Sequence, residues 1–583
     1  QHFAIRSFVS RLVVEGTAGP FNPTRAFEVE GSFDLARTEK EGAVERILLN
    51  MWLTLRAPIG RIQGVATVGV RIMLAPSAST VATAPVYPSP KLQSRAKETL
   101  TPRQQSHVNA LIEQLNRRTP KSKQLAQSSR PTMADSRAAA GFRPLIKEMI
   151  YPICCSRSQG AEIWDVDGNQ YLDFTMGFGV SLFGHQAPFI VDALRQQLDA
   201  SAFQIGPQSP LAGEVARLLC ELTGMQRAAF CNSGTEAVLT AIRLARTATG
   251  RTKVARFAGD YNGHFDGVLT IAASGNADPA AIPMCPGVPQ SAVDDMLVLE
   301  FNDPSSLEIL RACAHELAAV ITSPVHSRRP HIQAPEFLRE LRKITQEAGA
   351  ALISDEILMG FRVHPGPTHA WLGVEVDIAT YGKLLGGGLP IGAVTGTARF
   401  MDCLDGGYWQ YGDDSFPQAE TTIFAGTFNK NPLTMAATRA VLTFIKEHSA
   451  PLYDRLNALT ARLSRELGAF FVEQGVPLQI THLGGTFRIT SPQNLDLFFY
   501  HLLSRGIYIW EGRAFFISFA HTDEHIDRFI QVVKETVADL QSADFFPKPA
   551  AAPVPLTAPL SALKPEQLEI FQIVLNGGNL QAV

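Results

Sequence analysis

The chain is poor in cysteine and tryptophan, has no long apolar run, and carries no large excess of either charge. Seven cysteines in 583 residues are an odd number, and their spacing is not that of a metal site. This excludes a disulfide framework and points to reduced thiols in a cytoplasmic setting. Cys154 and Cys155 are adjacent and poorly placed to bridge to each other. No stretch approaches the ~20 apolar residues of a membrane-spanning helix. The opening QHFAIRSFVSRLVVEGTAG lacks the form of a secretory leader. A net charge of −3 gives no basic footprint for nucleic acid. Neither nucleic acid nor membrane is therefore an expected partner, and no metal site is expected.

What is present suits a large globular enzyme. Hydrophobic residues make up 45% of the chain and charged ones 18%, enough for an extensive core. Gln1 rather than methionine opens the sequence, so a segment of a longer protein is expected. Residues 1–95 read as a poorly defined upstream segment and linker, with APSASTVATAPVYPSP at 75–90 the linker proper. Residues 96–141 read as a helical lead-in. Thr101 is placed to cap, Pro102 to open the helix, and Val108, Leu111 and Leu115 to share one face. Dense apolar patterning then runs from about Phe142 to Leu540, and a large domain over 142–435 with a small C-terminal domain over 436–545 is expected there. A Pro/Ala linker and the start of a downstream segment, PEQLEIFQIVL, occupy 546–583.

Inside the central unit short apolar runs alternate with helical patterns. RAAFC (227–231), LAAVIT (317–322) and AALIS (350–354) read as buried strands. TEAVLTAIRLARTAT and EFLRELRKITQEAG read as helices. This alternation predicts an α/β fold with a mainly parallel sheet covered by helices on both faces. Chemistry in such sheets gathers at the carboxyl ends of the strands.

Three motifs fall at those ends. In CNSGTEA (231–237) a strand turns through Ser233, Gly234 and Thr235 into a helix. Free amides at a helix start can hold a phosphate, and plain capping by Ser233 or Thr235 is the competing reading. In ISDEILMGF (353–361) Asp355 and Glu356 end a strand too apolar to be exposed. A carboxylate there needs a compensating partner, such as a protonated ring nitrogen or a buried ion pair. In IATYGKLLGGGLPIG (378–392) Lys383 stands between an apolar run and three glycines, 386–388. A desolvated lysine becomes a nucleophile, and the glycines would let backbone approach a flat ligand. A phosphate cradle, a carboxylate for a ring nitrogen and a Schiff-base lysine, in that order, are what pyridoxal 5′-phosphate requires.

SGTEA, DYNGHFDG, SDEILMGFR, GKLLGGGLPIGA and AGTFNKNPLTMAA together resemble the class III, fold-type I aminotransferases over about residues 100–545. They are similar in particular to glutamate-1-semialdehyde aminomutase and to the aminotransferase domains embedded in hybrid polyketide synthase and non-ribosomal peptide synthetase chains. The resemblance implies that 142–435 binds the cofactor and also carries the N-terminal part of the small α+β domain. It implies that Gly234 and Thr235 bind the phosphate, with Ser233 beside them. Tyr261 and Ile357 would cover the two faces of the ring, Asp355 would pair with its nitrogen, and Lys383 would form the Schiff base. Thr427 would reach the phosphate of a neighbouring subunit, implying a homodimer. Arg143 would hold a substrate carboxylate.

Some positions depart from the family pattern. Asn262, beside the cofactor, replaces histidine. Ser323-Pro324-Val325-His326 replaces Glu-Pro-Val-Gln, and His326 is either a donor to the ring oxygen or a structural histidine. Arg513 replaces an acidic gate at the substrate entrance.

The expected activity moves an amino group from a glutamate-like donor to a ketone, above all a β-ketoacyl chain on an acyl carrier protein in natural-product biosynthesis. The alternatives are a free-standing aminomutase or ω-aminotransferase on a small molecule, and an inactive cofactor-binding module.

Overall fold

The computed structural model describes residues 99–548, apart from 137, 138, 140, 141, 201–203 and 449, together with the strands that lie within residues 8–73. Those upstream strands form a unit of their own. Phe8–Val13, Ala26–Leu35, Leu48–Ile59 and Ile62–Met73 make a four-stranded antiparallel sheet in that order. The segment expected to be poorly defined thus contains long strands. The register of the last two strands runs from Leu48 with Met73 to Ile59 with Ile62. The linker at 75–90 and the segment PEQLEIFQIVL lie outside the described residues.

The main unit is built on a seven-stranded sheet. Its strands are β1 (Arg227–Cys231), β2 (Lys253–Phe257), β3 (Met296–Leu299), β4 (Leu317–Thr322), β5 (Ala351–Asp355), β6 (Ile378–Gly382) and β7 (Gly392–Gly396). Their order is β1-β7-β6-β5-β4-β2-β3. Only β7 runs against its neighbours; the remaining pairs are parallel. Every residue of β4, β5, β6 and β7 is buried, as a parallel sheet covered on both faces requires. Along β5, Ala351 and Ile353 join one hydrophobic cluster and Leu352 the other, the two-residue alternation of a strand. The helix Gly234–Thr249 packs on the first face through Val238, Ala241 and Ala245. The helix Pro335–Ala348 packs on the second through Phe337, Leu338, Leu341 and Ile344.

The rest of the unit rests against this core. Cys155–Gln159, Glu162–Asp165 and Gln170–Asp173 form a sheet completed by Ile507–Tyr508. Residues near the start of the main unit are therefore stitched to its C-terminal part. Gln479–Leu483, Thr486–Thr490 and Phe515–Phe516 form an antiparallel sheet. The boundary expected at residue 436 falls inside the helix Pro432–His448. That helix buries Met435, Ala436, Ala437 and Val441 without a break, so the apolar stripe continues through the expected boundary.

The end helices follow from their caps. Thr101 and Gln104 form a reciprocal capping box on Pro102–Arg118, which buries Val108, Leu111 and Leu115. Thr522 caps Asp523–Ser542, with acids in the first turn, and Ile526, Phe529, Ile530, Val533 and Val537 are buried. Among the described residues no helix is long and apolar enough to cross a membrane, and no cluster of side chains could hold a metal ion. All seven cysteines are free.

Candidate active site

β1, β2, β4, β5 and β6 all end on the same edge of the sheet, at Cys231, Phe257, Thr322, Asp355 and Gly382. The three sequence motifs meet there. Ser233 is the cap of the helix Gly234–Thr249, and its hydroxyl accepts from the Glu236 amide at 3.2 Å. The capping reading of Ser233 therefore holds. It leaves the Gly234 and Thr235 amides at the helix start without partners among the described residues, open to an anion. A Cβ on Gly234 would lie 2.7 Å from Ile357 Cδ1. Glycine is thus what allows the turn after β5 to close against this helix end.

The two neighbouring carboxylates have opposite fates. Glu356 accepts from the Thr368 amide (2.9 Å), the His369 amide (2.9 Å), the Ser354 hydroxyl (3.0 Å) and the His369 ring (2.9 Å). Burial pushes its pKa up, but these donors hold it below the ordinary value. It is a structural anion. Asp355 is also buried but less well served: it accepts from Asn262 Nδ2 at 2.8 Å, from the Ile357 amide at 3.2 Å and, at 3.5 Å, from the Thr380 hydroxyl. Burial, reinforced by the charge of Asp260, raises its pKa to about 6. Such a carboxylate suits a cationic partner.

Lys383 begins a short 3-10 turn directly after β6 and has a left-handed backbone, φ 44°. Burial lowers its amine to a pKa of about 8, with Asp355 opposing that shift and Arg362 adding to it. Two of the glycines that follow also serve the turn itself. Gly387 and Gly388 are left-handed, at φ 59° and 107°, and a Cβ on Gly387 would meet Ile190 and Val441 at 3.1–3.3 Å. They turn the chain from β6 to β7 beneath packed helices.

Of the departures from the family pattern, Asn262 and Ser323 are engaged in one hydrogen-bond network, and His326 lies against it. Asn262 donates to Asp355 and accepts from the buried Arg256 Nε at 3.3 Å. The Ser323 amide and hydroxyl donate to Asp260 at 2.8 and 2.7 Å. His326 lies behind, its Nε2 3.9 Å from Asp260 Oδ2 and its ring 4.1 Å from that of Phe301. Among the described residues neither of its ring nitrogens has a hydrogen-bond partner. Arg256 and Asp260 belong to this network, although the sequence assigned them no role. A charged residue inside the apolar strand KVARF was the available signal for Arg256.

The remaining candidates lie further out. Tyr261 is exposed; partial burial raises the pKa of its phenol, and the charge of Arg513 opposes that shift. Thr427 is exposed in the loop where Asn429 accepts from Asn232 at 2.9 Å. Arg143 is paired with Asp496, a carboxylate that a substrate would have to displace.

A helix end open to an anion, a buried carboxylate awaiting a cation and a buried amine fit pyridoxal 5′-phosphate, and they stand on the sheet of a fold-type I pyridoxal-phosphate enzyme. The chain belongs to the class-III aminotransferases: that family matches residues 146–537. It is 35% identical over 413 residues to a glutamate-1-semialdehyde 2,1-aminomutase of Chloroflexus aggregans, covering 67% of this chain and 91% of the relative. A solved transaminase with bound pyridoxal phosphate superimposes with TM-score 0.64 at 30% identity, over 73% of this chain and 98% of that one. A β-phenylalanine aminotransferase of Variovorax paradoxus gives TM-score 0.64 at 29% identity, over 77% and 100%. The protein is a pyridoxal-phosphate-dependent enzyme of this family, whose members use amino donors and keto acceptors.

Proposed function

We propose that this enzyme transfers an amino group from a glutamate-like amino acid to a β-ketoacyl chain tethered to an acyl carrier protein, within a polyketide or peptide assembly line of the cytoplasm. When bound, pyridoxal phosphate supplies an electron-withdrawing ring and a carbonyl able to carry amino groups. The Gly234 and Thr235 amides, beside Ser233, bind its phosphate. Asp355, held by Asn262, keeps the proton on the ring nitrogen. Ile357 and Tyr261 cover the faces of the ring, and His326 supports Asp260 from behind. Lys383 binds the cofactor and, as a free amine, moves the proton at the substrate α-carbon. An amine with a pKa near 8 is substantially neutral under mildly alkaline conditions, which this proton transfer requires.

The observation that carries the tethered-substrate reading is Arg513. It replaces an acidic gate on an exposed turn whose charge reaches Tyr261. A cation there favours the phosphate of a pantetheine arm and the acidic surface of a carrier. The Pro/Ala linkers on either side of the main unit, and the structural likeness to an aminotransferase named for a β-amino acid, support the same reading. A homodimer is supported by the exposed Tyr408, Tyr411, Phe416, Ile423 and Phe428, all in the segment that holds Thr427. The identity to aminomutases favours a second reading, a small free substrate held by Arg143. Comparing kcat/KM on a carrier-bound β-ketoacyl chain and on the free ketoacid decides between them. Preference for the free acid would overturn the tethered reading.

A further inference from the structure

Arg256 is a charge inside the apolar strand β2, and it is only 2% exposed. Each of its three side-chain nitrogens is engaged. Nη1 donates to Thr270 O at 3.0 Å and to the Thr270 hydroxyl at 2.9 Å, Nη2 donates to Asp260 O, and Nε donates to Asn262 Oδ1 at 3.3 Å. The bonds to Asp260 and Thr270 fasten both ends of the stretch 260–270, which carries Tyr261. That is a structural task, and it accounts for two of the three nitrogens. It does not account for the third, whose partner is a side chain that itself touches Asp355.

The Nε bond decides which way the Asn262 amide faces. The torsion that carries an amide group is broad and roughly two-fold, so polar partners rather than rotamer preference select its face. A guanidinium only donates, and an ionised carboxylate only accepts. Asn262 Nδ2 lies 2.8 Å from Asp355 Oδ2 and 3.5 Å from Asp260 Oδ2, while its oxygen faces Arg256. Turned over, the amide would set its oxygen against two carboxylates and its amino group against a cation. Asn262, Asp260 and Asp355 are all buried, which makes such mismatches costly.

We infer that Arg256 is a positioning residue for the reaction: by holding the Asn262 oxygen, its Nε turns the Asn262 amino group onto Asp355 and so keeps that carboxylate ionised for the ring nitrogen of the cofactor. A hydrogen bond donated to the charged form of an acid favours that form. Of the three bonds that Asp355 accepts, the one from Asn262 is the shortest. Without Arg256 the amide is free to turn, and Asp355 loses that donor. The relay thus runs from a strand in the core to the site through two hydrogen bonds in series.

The inference rests on Asp355 being the partner of the ring nitrogen, and its test separates the two claims. The full chain, stripped of cofactor, is titrated with pyridoxal 5′-phosphate and with its deaza analogue, in which CH replaces the ring nitrogen. The ratio of the two dissociation constants isolates the ring-nitrogen contact, because the two molecules share phosphate, aldehyde and ring faces. Wild type should prefer the nitrogen-bearing cofactor, and Asp355→Ala should lose that preference. Arg256→Met and Arg256→Gln should each cut the preference about fivefold; glutamine keeps a donor for the carbonyls of Asp260 or Thr270. Asn262→Leu should cut it as far, and adding Arg256→Met to it should cut it no further. Equal weakening of both cofactors, losses that add in the double variant, or failure of both Arg256 variants to fold would make Arg256 a structural residue and overturn the inference. Preference lost in Asp355→Ala but kept in the Arg256 variants overturns the inference alone. Preference kept in Asp355→Ala overturns the pairing of Asp355 with the ring nitrogen, and the inference with it.

Discussion

Replacing Asp355 with asparagine should stabilise the cofactor-free protein while removing most of its activity. The carboxylate is 4% exposed, and burial with the nearby Asp260 charge lifts its pKa from 3.8 to about 6. The sign follows from linkage. A carboxyl group raised in the folded state favours its protonated form there, so folding loses stability as pH climbs from the unfolded value to the folded one. The full penalty is present above about pH 6. Roughly two pH units at ~1.4 kcal/mol each amount to about 3 kcal/mol. Asparagine removes the charge but its single amide oxygen cannot serve donors on both sides, Asn262 on one and the Ile357 amide and Thr380 hydroxyl on the other, which costs about 1 kcal/mol. The net gain is about 2 kcal/mol at pH 7.5, shrinking to near zero by about pH 4.5. Urea midpoints of wild type and variant, both without cofactor, measure it at the two pH values. A variant no more stable at pH 7.5, or a gap that persists on acidification, would refute the reasoning. Turnover of the reloaded variant should fall ~100-fold or more.

Gly234→Ala forces Ile357 away from a site only 2.7 Å distant, so cofactor should bind ~10-fold more weakly, about 1.4 kcal/mol, as read by titration. Arg513→Glu should reduce kcat/KM on a carrier-bound ketone more than on a short free ketone; equal losses would remove Arg513 from substrate recognition. Thr101→Ala breaks the capping box and should destabilise the lead-in helix by about 1 kcal/mol, seen as faster amide exchange over residues 102–108.

Much of the large sheet was legible because its central strands are largely apolar, wholly buried and sharply bounded. The strands at 227–231 and 317–322 match the reading residue for residue, and the capped helix at 102–118 buries the stripe expected of it. The chemistry at the strand ends was legible as residue types in order. Its division of labour was not. Nothing local distinguishes Asp355 from Glu356, since the donors that commit Glu356 to structure come from Thr368 and His369, on the far side of a turn. The network of Arg256, Asp260, Asn262 and Ser323 joins residues up to 63 positions apart. The packing of Gly387 had no local signal, because Ile190 and Val441, which a Cβ there would meet, come from distant parts of the chain. The pairing of Arg143 with Asp496 spans 353 positions, beyond any local signal.

The central claim is that Lys383 carries the cofactor opposite Asp355. Reduction of the loaded enzyme with borohydride, followed by digestion and peptide mapping, tests it most directly. The account predicts a single pyridoxyl-labelled peptide modified at Lys383, with no such peptide from Lys383→Ala. Label on any other lysine, or undiminished label in Lys383→Ala, would contradict it.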